Sequence, residues 1–464
     1  MPPTRTSRAL LLASLLALPA PALAQDSQYW DIQYGPVGQL LGGQVVGSAR
    51  DLSASYYNPG GLALAESPDF LLSVQGFSLR RLSMKPVDSA YLAGASKTDF
   101  AAFPGFVAFA FPKGWFGDRT RMAFSLLTRQ QLVARIDQRS VGSTPAGDGR
   151  QGLEALFDQS LREVWGGLTL SHRFSDRLGL GATLYGVHRG QRTRLEQSLQ
   201  ITRPPDVGVA ALIIDDFDYR HERMLGKVGL AWERGGTSLG LAVTTPSLAL
   251  FGSGNAGFTR SAVGADLDGD GQTDALLLDG LDEGLDSNYK SSWAIAGGAA
   301  WRHGSLQIHA SGEWFAPVDS YTVLQGAAQS SNAAPIVLTQ DLDSVFNAGL
   351  AVEYWLGGVS ADLAATSRGT ALYGSFRTDF TASPGVPANE ISSSNQDIYH
   401  LTAGTAFSVG SSRFSLGVQY SHGRRDRGAV FPGLRGVPVI GQDRAVETHI
   451  TRWVFVVGYL FTSK

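Results

Sequence analysis

The residues best placed to do chemistry lie in one acidic stretch. Asp266, Asp268, Asp270, Gln272 and Asp274 fall at the first, third, fifth, seventh and ninth positions of an EF-hand-like loop, with Gly271 at the sixth. Calcium is a hard cation that takes about 6–8 oxygens at roughly 2.3–2.6 Å, and a tight turn at the glycine lets alternate side chains and the Gln272 carbonyl converge on it. The glutamate usual at the twelfth position is replaced by Leu277, so Asp279, Asp282 or Glu283 would have to complete the shell. Four carboxylates this close repel one another without a counter-ion. The expected cofactor is a structural Ca²⁺ that orders a surface loop; the alternative is a solvated acidic turn.

Other reactive constellations are thin. The eight histidines are scattered: His303 at a turn, and His172, His188 and His422 in or near alternating segments. There is no H-E-x-x-H and no phosphate-cradling G-x-x-x-x-G-K-[ST] loop. Hydrolysis would need a serine, a histidine and a carboxylate on one face near one mouth, which the sequence alone does not assemble, and the chain reads as a non-enzyme. A net charge of -3 leaves no nucleic-acid footprint. The absence of cysteine removes disulfide, zinc-thiolate and iron–sulfur chemistry, and any lipid-modified cysteine.

The elements that would carry such a loop follow from periodicity. Residues 1–24 read as a signal peptide, with Arg5 and Arg8, an apolar run over Ala9–Leu18 and the small-residue site Ala22-Leu23-Ala24. After it no apolar run is long enough for a membrane helix. Instead the chain alternates. Leu306, Ile308, Ala310, Gly312 and Trp314 oppose Gln307, His309, Ser311 and Glu313. Phe346, Ala348, Leu350, Val352, Tyr354 and Leu356 oppose Asn347, Gly349 and Glu353, and Phe414, Leu416, Val418 and Tyr420 oppose Arg413, Ser415, Gly417 and Gln419. A period of two with one greasy and one polar face suits a strand between lipid and a wet lumen.

About fourteen such segments are expected, near 69–84, 103–112, 119–135, 159–174, 177–192, 217–233, 236–251, 288–302, 304–316, 343–356, 358–378, 396–410, 412–423 and 446–462. Their connections alternate short and long. The short ones are Lys113–Asp118, Ser175-Asp176, Arg234-Gly235, His303, Gly357 and Ser411; the long ones are 85–102, 136–158, 193–216, 252–287, 317–342, 379–395 and 424–445. Short periplasmic turns and long extracellular loops mark an outer-membrane barrel. The last segment, with Trp453, Phe455, Val457, Tyr459 and Phe461 on one parity, resembles the signal read by outer-membrane assembly machinery and would equally serve as an aromatic girdle. The expected fold is all-β: a transmembrane antiparallel β-barrel over residues 69–464. It sits in the outer membrane of a Gram-negative bacterium, with lipid and lipopolysaccharide as surroundings. So many strands enclose more space than side chains fill, which leaves residues 25–68 to plug the lumen.

Within that leading segment, Ser48, Asp51, Tyr56, Tyr57, Asn58, Pro59 and Gly60 belong to a stretch that resembles the hatch of the FadL/TodX family of outer-membrane transporters. The family's acidic, small-residue run enters an Asn-Pro-Ala motif; Asn58 and Pro59 match it, and Gly60 replaces the alanine, loosening the turn. From local chemistry, Asn58-Pro59-Gly60-Gly61 reads as a reversal with φ > 0 at its third position. The resemblance spans the mature chain and implies passive transport of long-chain fatty acids or aromatic hydrocarbons: capture among the loops, hatch movement and lateral release through a gap at the third strand. No Gly or Pro marks that gap between Arg119 and Arg135; Gln130-Gln131 is the one local irregularity. Candidate capture residues are Val209, Leu212, Ile213 and Ile214 in loop 193–216, and Leu153, Leu156 and Phe157 in a short amphipathic helix. Other readings are a structural or adhesive barrel with a calcium-ordered loop, and a general porin.

Overall fold

A computed structural model describes residues 28–65, 69–86, 95–112, 117–144, 147, 149–203, 207–265, 272–326, 337–356, 369–384, 396–425 and 446–461. The signal peptide lies outside these residues. In chain order the strands are β1 (Phe70–Pro86), β2 (Ala95–Ala110), β3 (Thr120–Ser143), β4 (Arg150–Ser175), β5 (Leu178–Arg203) and β6 (Val207–Arg234). They continue as β7 (Thr237–Thr244), β8 (Leu248–Ala265), β9 (Asp274–Asp286), β10 (Ala294–His303), β11 (Leu306–Phe315) and β12 (Val318–Gln325). The last are β13 (Val337–Leu342), β14 (Val345–Leu356), β15 (Thr370–Asp379), β16 (Ile398–Val409), β17 (Ser412–Arg425) and β18 (Val446–Phe461).

Fourteen of these strands close a ring of antiparallel neighbours. Its order is β1–β2–β3–β4–β5–β6–β7–β10–β11–β14–β15–β16–β17–β18, and β18 pairs back onto β1 from Phe461↔Phe70 to Val446↔Pro86. Closure leaves no lipid-facing sheet edge, the condition for a sheet to stand in hydrocarbon. The alternation decides which face is outside. Ile308, Trp314, Leu350, Val352, Leu416, Trp453 and Phe455 are exposed on the outer face, whereas Gln307, His309, Asn347, Glu353, Arg413 and Gln419 are buried toward the lumen. The short turns are built as their residues require: Gly235 and Gly236 both take positive φ (58° and 83°) in a two-residue hairpin that needs them.

The expected fourteen segments match the ring, but the expected loops do not stay loops. Residues 136–158 and 193–216 are largely strand, because β3, β4, β5 and β6 run on past the membrane as one sheet. β6 alone has 28 residues, about 90 Å at roughly 3.3 Å per residue, against the ~9–11 residues that cross a bilayer. Within 252–287, β8 pairs with β9 and with the upper part of β6, and the small β12–β13 sheet packs under this extension through Tyr321, Val323, Leu324 and Leu338. The helix expected around Leu153–Phe157 is therefore strand β4. The long ladder of backbone pairs outweighed the local helical spacing. The Gly357 turn and the start of the 358–378 segment lie outside the described residues.

Candidate functional site

Residues 28–65 lie inside the ring and are almost wholly buried. The segment contains three short helices: α1 (Pro36–Leu40), α2 (Ala54–Tyr57) and α3 (Pro59–Ala63). Asn58-Pro59-Gly60-Gly61 does not form the expected φ > 0 turn. Asn58 caps α3 instead, its Oδ1 accepting from the Gly60 amide at 3.1 Å, with Pro59 in the first turn where its missing N–H is harmless. The Asn58 amide also donates to the Val46 carbonyl (2.8 Å) and to the Leu230 carbonyl of β6 (2.9 Å), tying the segment to itself and to the wall.

The residues expected to form a hatch all lie in this buried leading segment. Tyr57 Oη accepts from the Tyr34 amide (2.8 Å) and donates to Gln33 Oε1 (3.0 Å), and the rings of Tyr34 and Tyr56 meet edge-on at 4.5 Å. Asp51 Oδ1 accepts from the Ser53 amide (2.8 Å). Burial lifts the Asp51 carboxyl above its usual range, a rise that the Ser53 hydrogen bonds only partly offset. Ser48 Oγ lies 2.8 Å from His309 Nδ1 on β11, and Nε2 of that ring faces Glu353 on β14 at 3.6 Å. This is the serine–histidine–carboxylate grouping that catalysis would need, and it sits toward the periplasmic mouth. The bond is to Nδ1, the second contact is longer than a hydrogen bond, and the Val45 carbonyl takes the N–H groups of both Ser48 and Ala49. Those donors are not aimed at a developing oxyanion, so the trio holds the hatch to the wall.

Sequence reading missed the anchor at the other end. Asp31 is clasped by Arg452 of β18, with Arg452 Nη1 donating to Oδ2 at 2.9 Å. Burial raises the Asp31 carboxyl, but Arg452, helped by Arg377 and Arg80, holds it below its usual range. The Trp30 amide donates to Asp379 Oδ1 (2.8 Å). Asp31, Asp379 and His400 converge closely enough to suggest metal ligands. Arg377 and Arg452 already balance the two carboxylates, so a divalent cation would leave the cluster strongly positive.

Above the hatch is a cavity lined by Tyr29, Tyr56, Trp165, Tyr289 and Phe315 together with Arg129, Arg223, Lys227 and Lys290 against Glu163 and Glu313. Glu163 pairs with Arg189 (2.9 Å) and Arg223 (2.8 Å), and Lys227 Nζ donates to the Tyr56 carbonyl (2.7 Å). Among the described residues, Arg129 Nη1 and Arg223 Nε and Nη1 are buried donors without a hydrogen-bond acceptor. The sequence signal was present: Glu163, Arg189, Arg223 and Lys227 are charges on the lumen parity of membrane-crossing strands, where a charge is costly unless functional.

Beside this cavity the wall loosens. β2 pairs with β1 as far as Ala95, yet meets β3 only over Phe106–Ala110 against Ala123–Leu127. At that point β3 bulges between Thr128 and Gln130, and β2 carries Pro104, which has no N–H to donate. The irregularity is therefore marked by Pro104 on the neighbouring strand as well as by Gln130 on β3. Tyr34 Oη donates to the Thr128 carbonyl at 2.9 Å, so the hatch touches the wall at the break.

No protein-family model and no curated protein matches the sequence. Solved structures do. The P. putida toluene transporter TodX superposes with a TM-score of 0.59 at 14% identity, over 93% of this chain and 99% of that one. A Pseudomonas aeruginosa FadL homologue gives 0.57 at 12% identity over 94% and 99%. The Ralstonia pickettii toluene transporter TbuX gives 0.52 at 13% identity over 92% and 98%. The fold is that of the FadL/TodX transporters. In this FadL/TodX-type barrel the expected capture residues divide by face. Leu153, Phe157, Val209 and Ile213 share the parity of the buried Leu195, Phe217 and Tyr219, whereas Leu156, Leu212 and Ile214 lie on the outer face. Of the acidic loop, Asp266–Gly271 lies outside the described residues, and Asp274 opens β9. Asp279, Asp282 and Glu283 are carried away along that strand, Asp279 by about 16 Å at ~3.3 Å per residue. They do not stand beside Asp274.

Proposed function

We propose that this chain passively carries hydrophobic molecules with an anionic head, of the fatty-acid kind, across the outer membrane. The observation that carries the reading is the cavity above the hatch: aromatic walls for an apolar body, and buried guanidinium donors on Arg129 and Arg223 that have no acceptor among the described residues. A carboxylate would satisfy them with charge-assisted hydrogen bonds, and a hydrocarbon would not. Entry is among Leu153, Phe157, Val209 and Ile213. Exit is sideways between β2 and β3, where lipid receives the apolar body at a gain of about 0.8 kcal/mol per CH₂. The hatch shifts locally to let the molecule pass. Calcium at Asp266, Asp268, Asp270, Gln272 and Asp274 belongs to the same proposal, as a brace for the extracellular hairpin.

The solved neighbours are transport channels, in keeping with a role without catalysis. The filled lumen favours this reading over a general porin. The experiment is a comparison of binding and uptake of a long-chain fatty acid and of toluene by wild type and by Arg129→Gln/Lys227→Met. A loss of about tenfold or more for the acid alone is expected; equal losses for both, or none, would refute the anionic-head reading.

A further inference from the structure

The outer face of the tall sheet carries arginines on two successive outward-facing rungs. Arg162 on β4 is paired in register with Gly190 on β5, and Gly190 with Arg220 on β6. One step farther from the membrane the ladder carries Ser160, Arg192 and Asp218. Arg162, Arg192 and Arg220 are exposed on the parity of the lipid-facing Leu168, Leu184 and Val228. Their height follows from β4. Below Arg162 the outward positions are Val164, Gly166, Leu168, Leu170, His172 and Phe174. That run is about 33 Å along the strand at ~3.3 Å per residue, and a tilt of roughly 40° lowers it to about 25 Å, the height of the apolar band of such barrels. Arg162 is thus the first charge on β4 beyond the hydrocarbon on the extracellular side.

The neighbouring acids are engaged elsewhere. Glu222 faces His188 at 2.6 Å, and Asp218 accepts from Asn255 at 3.3 Å. Among the described residues none of the three arginines has an ion-pair partner. Gly190, lacking a side chain, leaves a notch between Arg162 and Arg220, whose strands stand about 10 Å apart, two strand spacings. Cations this spaced, one rung above the Val164–His188–Glu222 row beneath which the apolar wall begins, match an amphiphile with phosphates at its head and acyl chains below. We propose that Arg162, Arg192 and Arg220 dock the phosphates of lipopolysaccharide, with its acyl chains along Leu168, Leu170, Leu184 and Val228. The site is on the outside of the barrel and does not depend on what the lumen transports.

The test uses the full-length protein in detergent, titrated with bisphosphorylated lipid A. Arg162→Gln/Arg192→Gln/Arg220→Gln is expected to weaken binding by roughly a hundredfold, and the triple lysine variant to retain most of it. Dephosphorylated lipid A should bind wild type as weakly as bisphosphorylated lipid A binds the glutamine variant. Arg139→Gln, an exposed arginine higher on β3 paired with Glu154, should bind like wild type. Heat-modifiable migration in detergent gels shows whether each variant folds, and single Arg→Gln variants serve if the triple does not. Unchanged affinity in the folded glutamine variants, equal binding of the dephosphorylated lipid, or full displacement by inorganic phosphate would each overturn the assignment.

Discussion

Gly60 of the hatch and Gly229 of β6 meet backbone to backbone: a Cβ added at Gly60 would come within 2.5 Å of the Gly229 carbonyl oxygen. It would also meet the Gly179 carbonyl at 2.7 Å. Gly60 is therefore not a loosened alanine but the residue that lets α3 seat against the wall. The expected outcome of Gly60→Ala is a hatch lifted from β5 and β6, at a cost of about 1–3 kcal/mol from overpacking. Conductance in planar bilayers should rise above the low wild-type level, and the thermal midpoint should fall.

The two hatch aspartates should respond oppositely to pH and to substitution. Asp31 is held below its ordinary value of 3.8, so its contribution is fully present above that value and is lost as pH falls through the lower folded-state value. Asp51 is held above its ordinary value of 3.8, so its ionised form costs stability near neutrality, and the cost is relieved as pH falls from the raised folded-state value to the ordinary one. Asp31→Asn should destabilise the hatch by on the order of 2 kcal/mol and raise channel leak. Asp51→Asn keeps an acceptor for Ser53 and should be neutral or stabilising. Conductance and proteolysis of both variants between acid and neutral pH check the pair.

The break between β2 and β3 predicts a reversible block of transport. Gly105 and Thr128 are buried and stand at the first positions past the last β2–β3 pair. The chain has no native cysteine, so Gly105→Cys/Thr128→Cys can be bridged selectively by a short bifunctional thiol reagent with a cleavable spacer. Bridging should abolish uptake in vesicles without changing heat-modifiable migration, and cleavage of the spacer should restore it. Transport that continues with both cysteines bridged would place the exit elsewhere.

What the sequence made legible was what lipid imposes. Trp453 and Phe455 must face hydrocarbon and Gln419 and Glu353 must not, so period and parity were readable wherever a bilayer enforces them. The upper halves of β4, β5 and β6 were not, because beyond the bilayer Arg192, Arg194 and Glu196 face water. The inward run Thr193, Leu195, Gln197 and Leu199 then lacks a greasy opposite face. The hatch was legible through Asn58 and Pro59, whose local chemistry is distinctive. Its anchors were not: Asp31 meets Arg452 across 421 positions, a pairing that only closure of the ring creates. Gly60 was misjudged because a glycine's reason can lie in a neighbour's backbone rather than in its own φ.

The acidic loop supplies the last prediction. With Asp279, Asp282 and Glu283 drawn away along β9, any calcium held by Asp266, Asp268, Asp270, Gln272 and Asp274 must fill its shell from backbone carbonyls and water. Fewer carboxylates mean weaker binding, so affinity in the range of extracellular modules, about 10⁻⁴–10⁻³ M, is expected rather than that of a sensor. Calcium should then protect the β8–β9 connection from proteolysis at millimolar but not micromolar concentration. Asp268→Ala should lose the protection while leaving the barrel's thermal midpoint unchanged, because the hairpin stands outside the closed ring. Isothermal titration without a calcium signal, together with identical cleavage of wild type and Asp268→Ala, would reduce the stretch to a solvated acidic turn.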